Sequence, residues 1–242
     1  MKKQLILFLL TISMVCEISA INIYFQGDTL IVWAEGGLSI RDTNSISGKR
    51  LGVIPYGEKV IVKSTKVFRY GEEKIKLTSA FQEEETKYLG LSLYGKWVKV
   101  IYGDIEGFVF DGYLSKNSAP LLKENGPSED LQKYILREFG LLRQKDTQGS
   151  HAMYYGSGVS FFNLGTTGSA YVRYILPEFS QEEIMLFIKN SRMTNENGAP
   201  KIYENKFIKD NNIRTMKFVY DIGNMTIKVL SGMVILEIYA ES

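Results

Sequence analysis

Between Leu30 and Leu114, apolar runs of four or five residues alternate with turn residues, and this spacing constrains the fold most. Leu30-Ile31-Val32-Trp33 is a first run, and Leu38-Ser39-Ile40-Arg41 alternates with period two, as a half-buried strand does. Asp42-Thr43-Asn44-Ser45 and Pro55-Tyr56-Gly57 read as turns, because short polar side chains bond the nearby backbone and Pro fixes φ. Lys59 to Lys63, Lys96 to Val100 and Gly107 to Phe110 continue the series, with Gly103-Asp104 turning between the last two. Such runs are too short for helices and too regular for a loop. They predict a small antiparallel barrel or sandwich.

The pattern changes after residue 115. Lys116 to Pro120 and Asn125-Gly126-Pro127 bracket a segment with linker composition, so 116–127 is read as a linker. Ser128 is placed to cap a helix whose first turn carries Glu129 and Asp130, with Leu131, Ile135, Phe139 and Leu142 on one stripe. Residues 146–169 hold five glycines but no phosphate-cradling motif, so the glycines read as turns and strand ends. Val159 to Phe162 and Tyr171 to Leu176 read as strands. Ser180-Gln181-Glu182-Glu183 spells a capping box, with Phe179 and Ile184 at the staple positions. Met216 to Tyr220, Met225 to Val229 and Met233 to Ala240 then form a meander, the last run apolar enough for a strand covered on both faces. The fold class is therefore mainly β or α+β: a barrel over 21–115, then an α+β domain over 128–242 ending in an antiparallel meander.

The N-terminus bears on the compartment. Lys2 and Lys3 precede the apolar run from Leu5 to Val15, and Ala20 offers a small residue before a cut, the pattern of a secretory signal over 1–20. An uncleaved anchor and a lipoprotein modified at Cys16 are the alternatives, the bulky Val15 arguing against the second. Export to the periplasm or medium is expected, with no span in the mature chain, since nothing after residue 20 is long and apolar enough. Cleavage removes Lys2, Lys3 and Glu17, leaving 27 basic against 26 acidic groups. That balance makes no phosphate-seeking field, so nucleic acid is not an expected partner. It also removes Cys16, the only cysteine, and leaves His151 as the single imidazole. Cysteine–histidine catalysis needs both residues, and a zinc amidase typically needs at least two imidazoles. No metal or cofactor is expected. His151, near Asp146 and Ser150, is the one acid–base candidate, and a lone His in a Gly/Ser-rich stretch is more often idle. A two-carboxylate glycosidase remains open, since its acids need be close only in space.

Four segments of the first half resemble the bacterial SH3-like domain family. Leu38-Ser39-Ile40-Arg41 is similar to its Leu-x-Val-Arg strand, and Leu51 to Val60 to its Ile-Gly-x-Leu-x-x-Gly-x-x-Val segment. Trp97-Val98-Lys99-Val100 resembles its Trp-x-Lys-Val strand, and Gly107-Phe108-Val109 with Tyr113-Leu114 its Gly-Trp-Val…Tyr-Leu ending. The resemblance implies an SH3-like barrel and a binding role toward peptidoglycan peptide or an envelope protein. Tyr56, Tyr102 and Tyr113 are the candidate ligand-binding aromatics, with capping of the core as the alternative for each. Trp97 reads as core. Residues 63–95 depart from the family as a long insertion carrying Phe68, Tyr70, Phe81, Tyr88 and Tyr94 around Glu83-Glu84-Glu85. It reads as a hairpin packing its aromatics with a solvated acidic tip, or as an arm shaping the binding face. A non-catalytic exported binding protein is the expected function. The alternative is an envelope hydrolase with carboxylates in the C-terminal domain and the barrel as targeting module.

Overall fold

A computed structural model describes residues 24–64, 73–122, 129–165, 168–189, 202, 204–210, 213–220, 223–230 and 232–241; the expected export signal lies outside them. The first half holds β1 (Thr29–Val32), β2 (Leu38–Arg41), β3 (Arg50–Ile54) and β4 (Lys59–Ser64). Four short strands follow, β5 (Glu73–Lys76), β6 (Phe81–Glu83), β7 (Thr86–Tyr88) and β8 (Ser92–Gly95). Then come β9 (Trp97–Tyr102), β10 (Ile105–Phe110), a 3-10 turn (Asp111–Tyr113) and β11 (Leu114–Ser115).

Seven of these strands form one antiparallel sheet in the order β11-β1-β4-β9-β10-β2-β3. Period-two alternation puts Leu30, Val32, Leu38, Ile40, Val60, Val62, Val98 and Val100 into one buried cluster. Each such side chain contributes roughly 1.5–3 kcal/mol on burial, enough to hold strands this short. Gly107 allows β10 its close approach to β2, since a Cβ there would meet the Arg41 carbonyl oxygen at 2.6 Å. The strands wrap a single core, but no ladder joins β3 to β11 among the described residues, so the sheet stays open where a barrel would close.

The insertion is a nested pair of ladders, β6 with β7 inside β5 with β8. Phe81 stacks on Tyr88 at 4.8 Å, and Glu83, Glu84 and Glu85 are exposed at the tip. Leu91 and Leu93 are buried in the core shared with the second half, and the Leu89 N–H donates to the Ile202 carbonyl at 2.7 Å. Its inner residues therefore pack on the C-terminal half rather than into the first sheet's own core. Phe68 and Tyr70 lie outside the described residues.

The second half runs α1 (Leu131–Phe139), β12 (Leu141–Thr147), β13 (Ser150–Tyr155), β14 (Ser160–Asn163) and β15 (Ser169–Pro177). It continues with α2 (Gln181–Lys189), β16 (Glu204–Asp210), β17 (Ile213–Tyr220), β18 (Gly223–Leu230) and β19 (Met233–Glu241). Its sheet order, β12-β13-β14-β15-β19-β18-β17-β16, is palindromic: each part is a helix followed by a four-strand meander, and the two last strands meet at the centre. β15 and β19 pair along their whole length, from Ser169 opposite Glu241 to Pro177 opposite Met233. Both helices contribute to the core on one face of this sheet.

Two helix starts are informative. The α2 capping box forms as the sequence predicts: Ser180 Oγ accepts from the Glu183 N–H at 3.1 Å, and Glu183 Oε2 accepts from the Ser180 N–H at 2.5 Å. In α1 the cap is Asp130, accepting from the Lys133 N–H at 2.9 Å, so the helix begins later than a Ser128 cap would place it. Glu129 is freed from the first turn and is gripped instead by Arg137 at 2.8 Å. Leu142 leaves the predicted stripe because Gly140, at φ +62°, ends the helix before it.

The larger core crosses between the halves. Trp33 and Phe110 from the first half join Tyr134, Phe179, Ile184 and Phe187 from the second. Trp33 meets Tyr134 at 5.6 Å and Phe187 at 5.7 Å, both edge to face. The segment after β11, polar enough to suggest a linker, is pinned from both sides. Its Asn117 carbonyl accepts from Trp33 Nε1 at 3.2 Å, its Ser118 carbonyl from the Tyr134 hydroxyl at 2.9 Å, and its Pro120 carbonyl from the Tyr56 hydroxyl at 2.5 Å.

Candidate binding cleft

A cleft of about 400 Å³ opens where the first sheet, the inserted arm and α2 meet. That volume is within the range of small-ligand sites. Its first wall is the segment that follows β1, Trp33 to Gly37. The turn is closed by the Gly37 N–H donating to the Ala34 carbonyl at 2.8 Å, and Gly37 takes φ +81°, a conformation that favours glycine. Glu35 stands on this turn and pairs with Lys189, in the last turn of α2, at 3.1 Å. The second wall is made by Arg41 at the end of β2 and Trp97 at the start of β9. Trp97 lies edge to face on Phe110 at 6.2 Å, and Phe110 on Tyr113 at 6.1 Å, so the aromatic wall is braced from behind. Ile75 and Leu77 of the inserted arm and Leu186 of α2 supply aliphatic surface.

Four buried side-chain polar atoms among the described residues have no hydrogen-bond partner, and two belong to cleft residues: Arg41 Nε and Trp97 Nε1. Arg41 is held in place through Nη1, which donates to the Gly48 carbonyl at 2.6 Å. Neither atom has accessible surface in the free protein, so an acceptor reaches it only by shifting the side chain, and would then recover the roughly 1–3 kcal/mol that a stranded buried donor costs. The lining joins aromatic rings and aliphatic side chains to the Arg41 guanidinium group and the Glu35–Lys189 pair. Glu35 sets the rim electrostatics: burial first, and then its carboxylate, push the Tyr113 hydroxyl above the usual tyrosine range. The same two causes lead at Tyr56, with Arg137 opposing.

Of the three tyrosines read as ligand contacts, the structure brings only Tyr113 to the cleft. Tyr56 packs on the shared core with its hydroxyl tied to Pro120, and Tyr102 packs at the end of β9 against the first sheet's core. Trp97, read as core, is half-buried in the cleft wall. Arg41, Glu35 and Lys189 had no local signal to mark them. An arginine ending an alternating strand looks like any exposed strand residue until the chain folds a second element over it.

The titratable groups elsewhere have structural duties. Glu183 is fully buried and receives the Ser115 hydroxyl, the Asn117 amide at 3.3 Å and the Ser180 N–H; burial pushes its carboxyl above the usual range against these bonds. His151 sits on β13 rather than in a loop, its Nδ1 bonded to Asp146 directly across the ladder on β12. No group of three or more His, Cys, Asp or Glu among the described residues could hold a metal ion. No helix among them is long and apolar enough to cross a membrane.

Compared with known proteins, the chain matches no family model, no curated protein and no solved structure.

Proposed function

We propose that this chain is an exported, non-catalytic binding protein that seats a short peptide in the cleft between its first sheet and α2. The ligand's carboxylate or carbonyl faces Arg41 and Trp97, and its apolar side chain lies among Trp33, Ile75, Leu77 and Leu186. The observation that carries this reading is an aromatic and aliphatic cleft two of whose lining residues, Arg41 and Trp97, hold a buried donor without a partner, available to a ligand once the side chain shifts. The resemblance to SH3-like domains favours peptidoglycan peptide as the ligand, with a segment of an envelope protein as the other member of the same class. Three of the four buried carboxylates among the described residues are held by their neighbours, which favours a non-catalytic role: Asp111 accepts from the Tyr24 hydroxyl and the Lys96 N–H, Glu129 from Arg137, and Glu183 from Ser115, Asn117 and Ser180.

Sedimentation of residues 21–242 with purified peptidoglycan tests the proposal. The wild type should pellet with the polymer, and Trp97→Phe, which keeps a ring but removes the donor, should be retained several-fold less. Equal retention of the two proteins would overturn the cleft assignment. Release of soluble muropeptides over hours would overturn the non-catalytic reading.

A further inference from the structure

The cleft has a charged end that its aromatic lining does not explain. Ser39 and Arg41, two apart on β2, project from the same side of the first sheet, and both line the cleft. The ladder between β2 and β3 sets Arg50 directly opposite Arg41. Arg50 lies on that same side, because its Nε donates to Ser39 Oγ at 3.0 Å. Residues opposed in this way have Cβ atoms roughly 4.5–5.5 Å apart, and like charges so placed are destabilising. Two guanidinium groups therefore start from facing positions at one end of the cleft.

No carboxylate among the described residues pairs with either group. Arg41 is half-buried and commits one nitrogen, Nη1, to the Gly48 carbonyl at 2.6 Å. Its Nη2 has no partner among the described residues and is not buried, so an acceptor can reach it without any shift of the side chain. Arg50 is exposed and makes no side-chain hydrogen bond among the described residues except the one to Ser39. The acids of the adjoining segments are engaged elsewhere or stand apart. Glu35 is bonded by Lys189 at 3.1 Å. Glu106, on β10 two residues before the Phe108 that faces Arg41, is bonded by Lys99 at 2.6 Å and by Lys63 at 3.8 Å. Asp42, at the start of the turn after β2, forms no ion pair with Arg41 or Arg50. A half-buried cation facing a second cation, with no anion supplied by the chain, is a place prepared for an anion from outside.

We propose that Arg41 and Arg50 form a carboxylate clamp, so that the cleft selects peptides carrying a free carboxylate at this end. The carboxylate accepts from both guanidinium groups beside the Ser39 hydroxyl, and the apolar part of the ligand continues over Trp97 toward Trp33. This rests on the peptide reading of the cleft and narrows it. A neutral carbonyl would leave two like charges facing each other, whereas a carboxylate offsets one charge and bonds both groups. The planar fork of an arginine matches a carboxylate, and such charge-assisted bonds are about twice as strong as neutral ones. A carboxylate is also the anionic group that an unmodified peptide carries. Arg41 and Arg50 are then the residues that set specificity, and the aromatic wall supplies contact area common to acid and amide ligands.

Calorimetric titration of the full chain with soluble peptidoglycan stem peptide tests this, using the free acid, the form amidated at its carboxy terminus and the form amidated at its side-chain carboxylates. At least one amidated form should bind about tenfold more weakly than the acid, and which one does so tells whether the carboxylate is terminal or lateral. Arg50→Gln should weaken the acid several-fold while leaving that amide unchanged, so that the preference collapses. Arg50→Lys, which keeps the charge, should restore part of it. Lys145→Gln, the same charge change on the exposed strand β12 of the other half, should bind all three forms as wild type does. Thermal melts confirm that each variant folds. Equal binding of the three forms, with Trp97→Phe still weakening each, would overturn the clamp and leave the cleft reading standing. An Arg50→Gln variant that weakens acid and amide alike would also sink it, as would an equal loss in Lys145→Gln, since attraction would then follow net charge. Tighter binding of a serine-phosphorylated, fully amidated peptide than of the acid would overturn it in favour of a phosphate ligand. Binding of none of the forms to the wild type would remove the clamp together with the peptide reading.

Discussion

Replacing Glu183 should separate two roles that one buried carboxylate performs. It closes the α2 capping box and it clamps β11 to α2, because Ser115 and Asn117 donate to the same oxygen. In Glu183→Ala the Ser180 N–H and the Asn117 amide lose their acceptor inside the protein. Loss of a cap interaction costs about 1 kcal/mol and each stranded buried donor about 1–3 kcal/mol. The Ser115 hydroxyl can rotate, so a total of roughly 3–5 kcal/mol is expected, a fall in Tm of about 10 °C for a chain of this size. Glu183→Gln keeps an acceptor at the same place and should fold nearly as well. The pH dependence is the sharper signal. Because burial raises this carboxyl in the folded state, folding favours its protonated form. Its contribution is therefore fully present below about pH 4.3, the ordinary range of an unfolded glutamate, and is lost as pH rises through the folded value. The stability of wild type minus that of Glu183→Gln should fall as pH rises above about 4, with a slope of at most about 1.4 kcal/mol per pH unit for one proton. Urea unfolding of the three proteins at pH 4, 6 and 8 reads both effects. A loss below 1 kcal/mol in Glu183→Ala, or a difference between wild type and Gln that does not move with pH, would refute the reasoning.

Arg137→Ala should destabilise by about 2 kcal/mol in urea titrations, because Glu129 loses its two-nitrogen partner while remaining almost wholly buried. Trp33→Ala should cost about 3–5 kcal/mol and lower the stability of both halves together, monitored by circular dichroism and by Trp97 fluorescence, since Trp33 belongs to the core they share. Asp146, held below the usual carboxylate range first by its hydrogen bond to His151 and then by Gln144, should titrate nearer the ordinary value in His151→Ala, as followed by carboxyl carbon shifts.

Local physics wrote much of the fold into the sequence. The alternation at Leu38 to Arg41, Lys59 to Lys63 and Trp97 to Val100 specifies strands because each has one apolar face to bury. Ser180 to Glu183 specifies a helix start because the capping box is a contact between residues three apart. What escaped was non-local. Asp130 rather than Ser128 caps α1, and Glu129, expected in the first turn, lies before the helix and pairs with Arg137 one helix-length away. The segment after β11 has a linker's composition, yet its backbone carbonyls are acceptors for Trp33, Tyr134 and Tyr56, and composition is blind to backbone bonding. The cleft was least legible. Its residues come from the turn after β1, from β2, β9, β10 and the 3-10 turn, from the inserted arm and from α2, and only Tyr113 among them was a candidate ligand contact. The β19 run misled for the same reason: seven apolar residues in eight look doubly covered, yet Val234 and Leu236 are buried while Met233, Ile235 and Tyr239 on the other face are only half-buried.

The two tryptophans allow the most direct measurement of the central claim. Trp33 Nε1 already donates to Asn117, whereas Trp97 Nε1 has no partner among the described residues. Titration of ¹⁵N-labelled protein with soluble peptidoglycan stem peptide, followed through the two indole N–H resonances, reads each donor separately. The Trp97 resonance should shift saturably while that of Trp33 stays in place. A Trp97 resonance unmoved at millimolar peptide, or equal shifts of both, would contradict it.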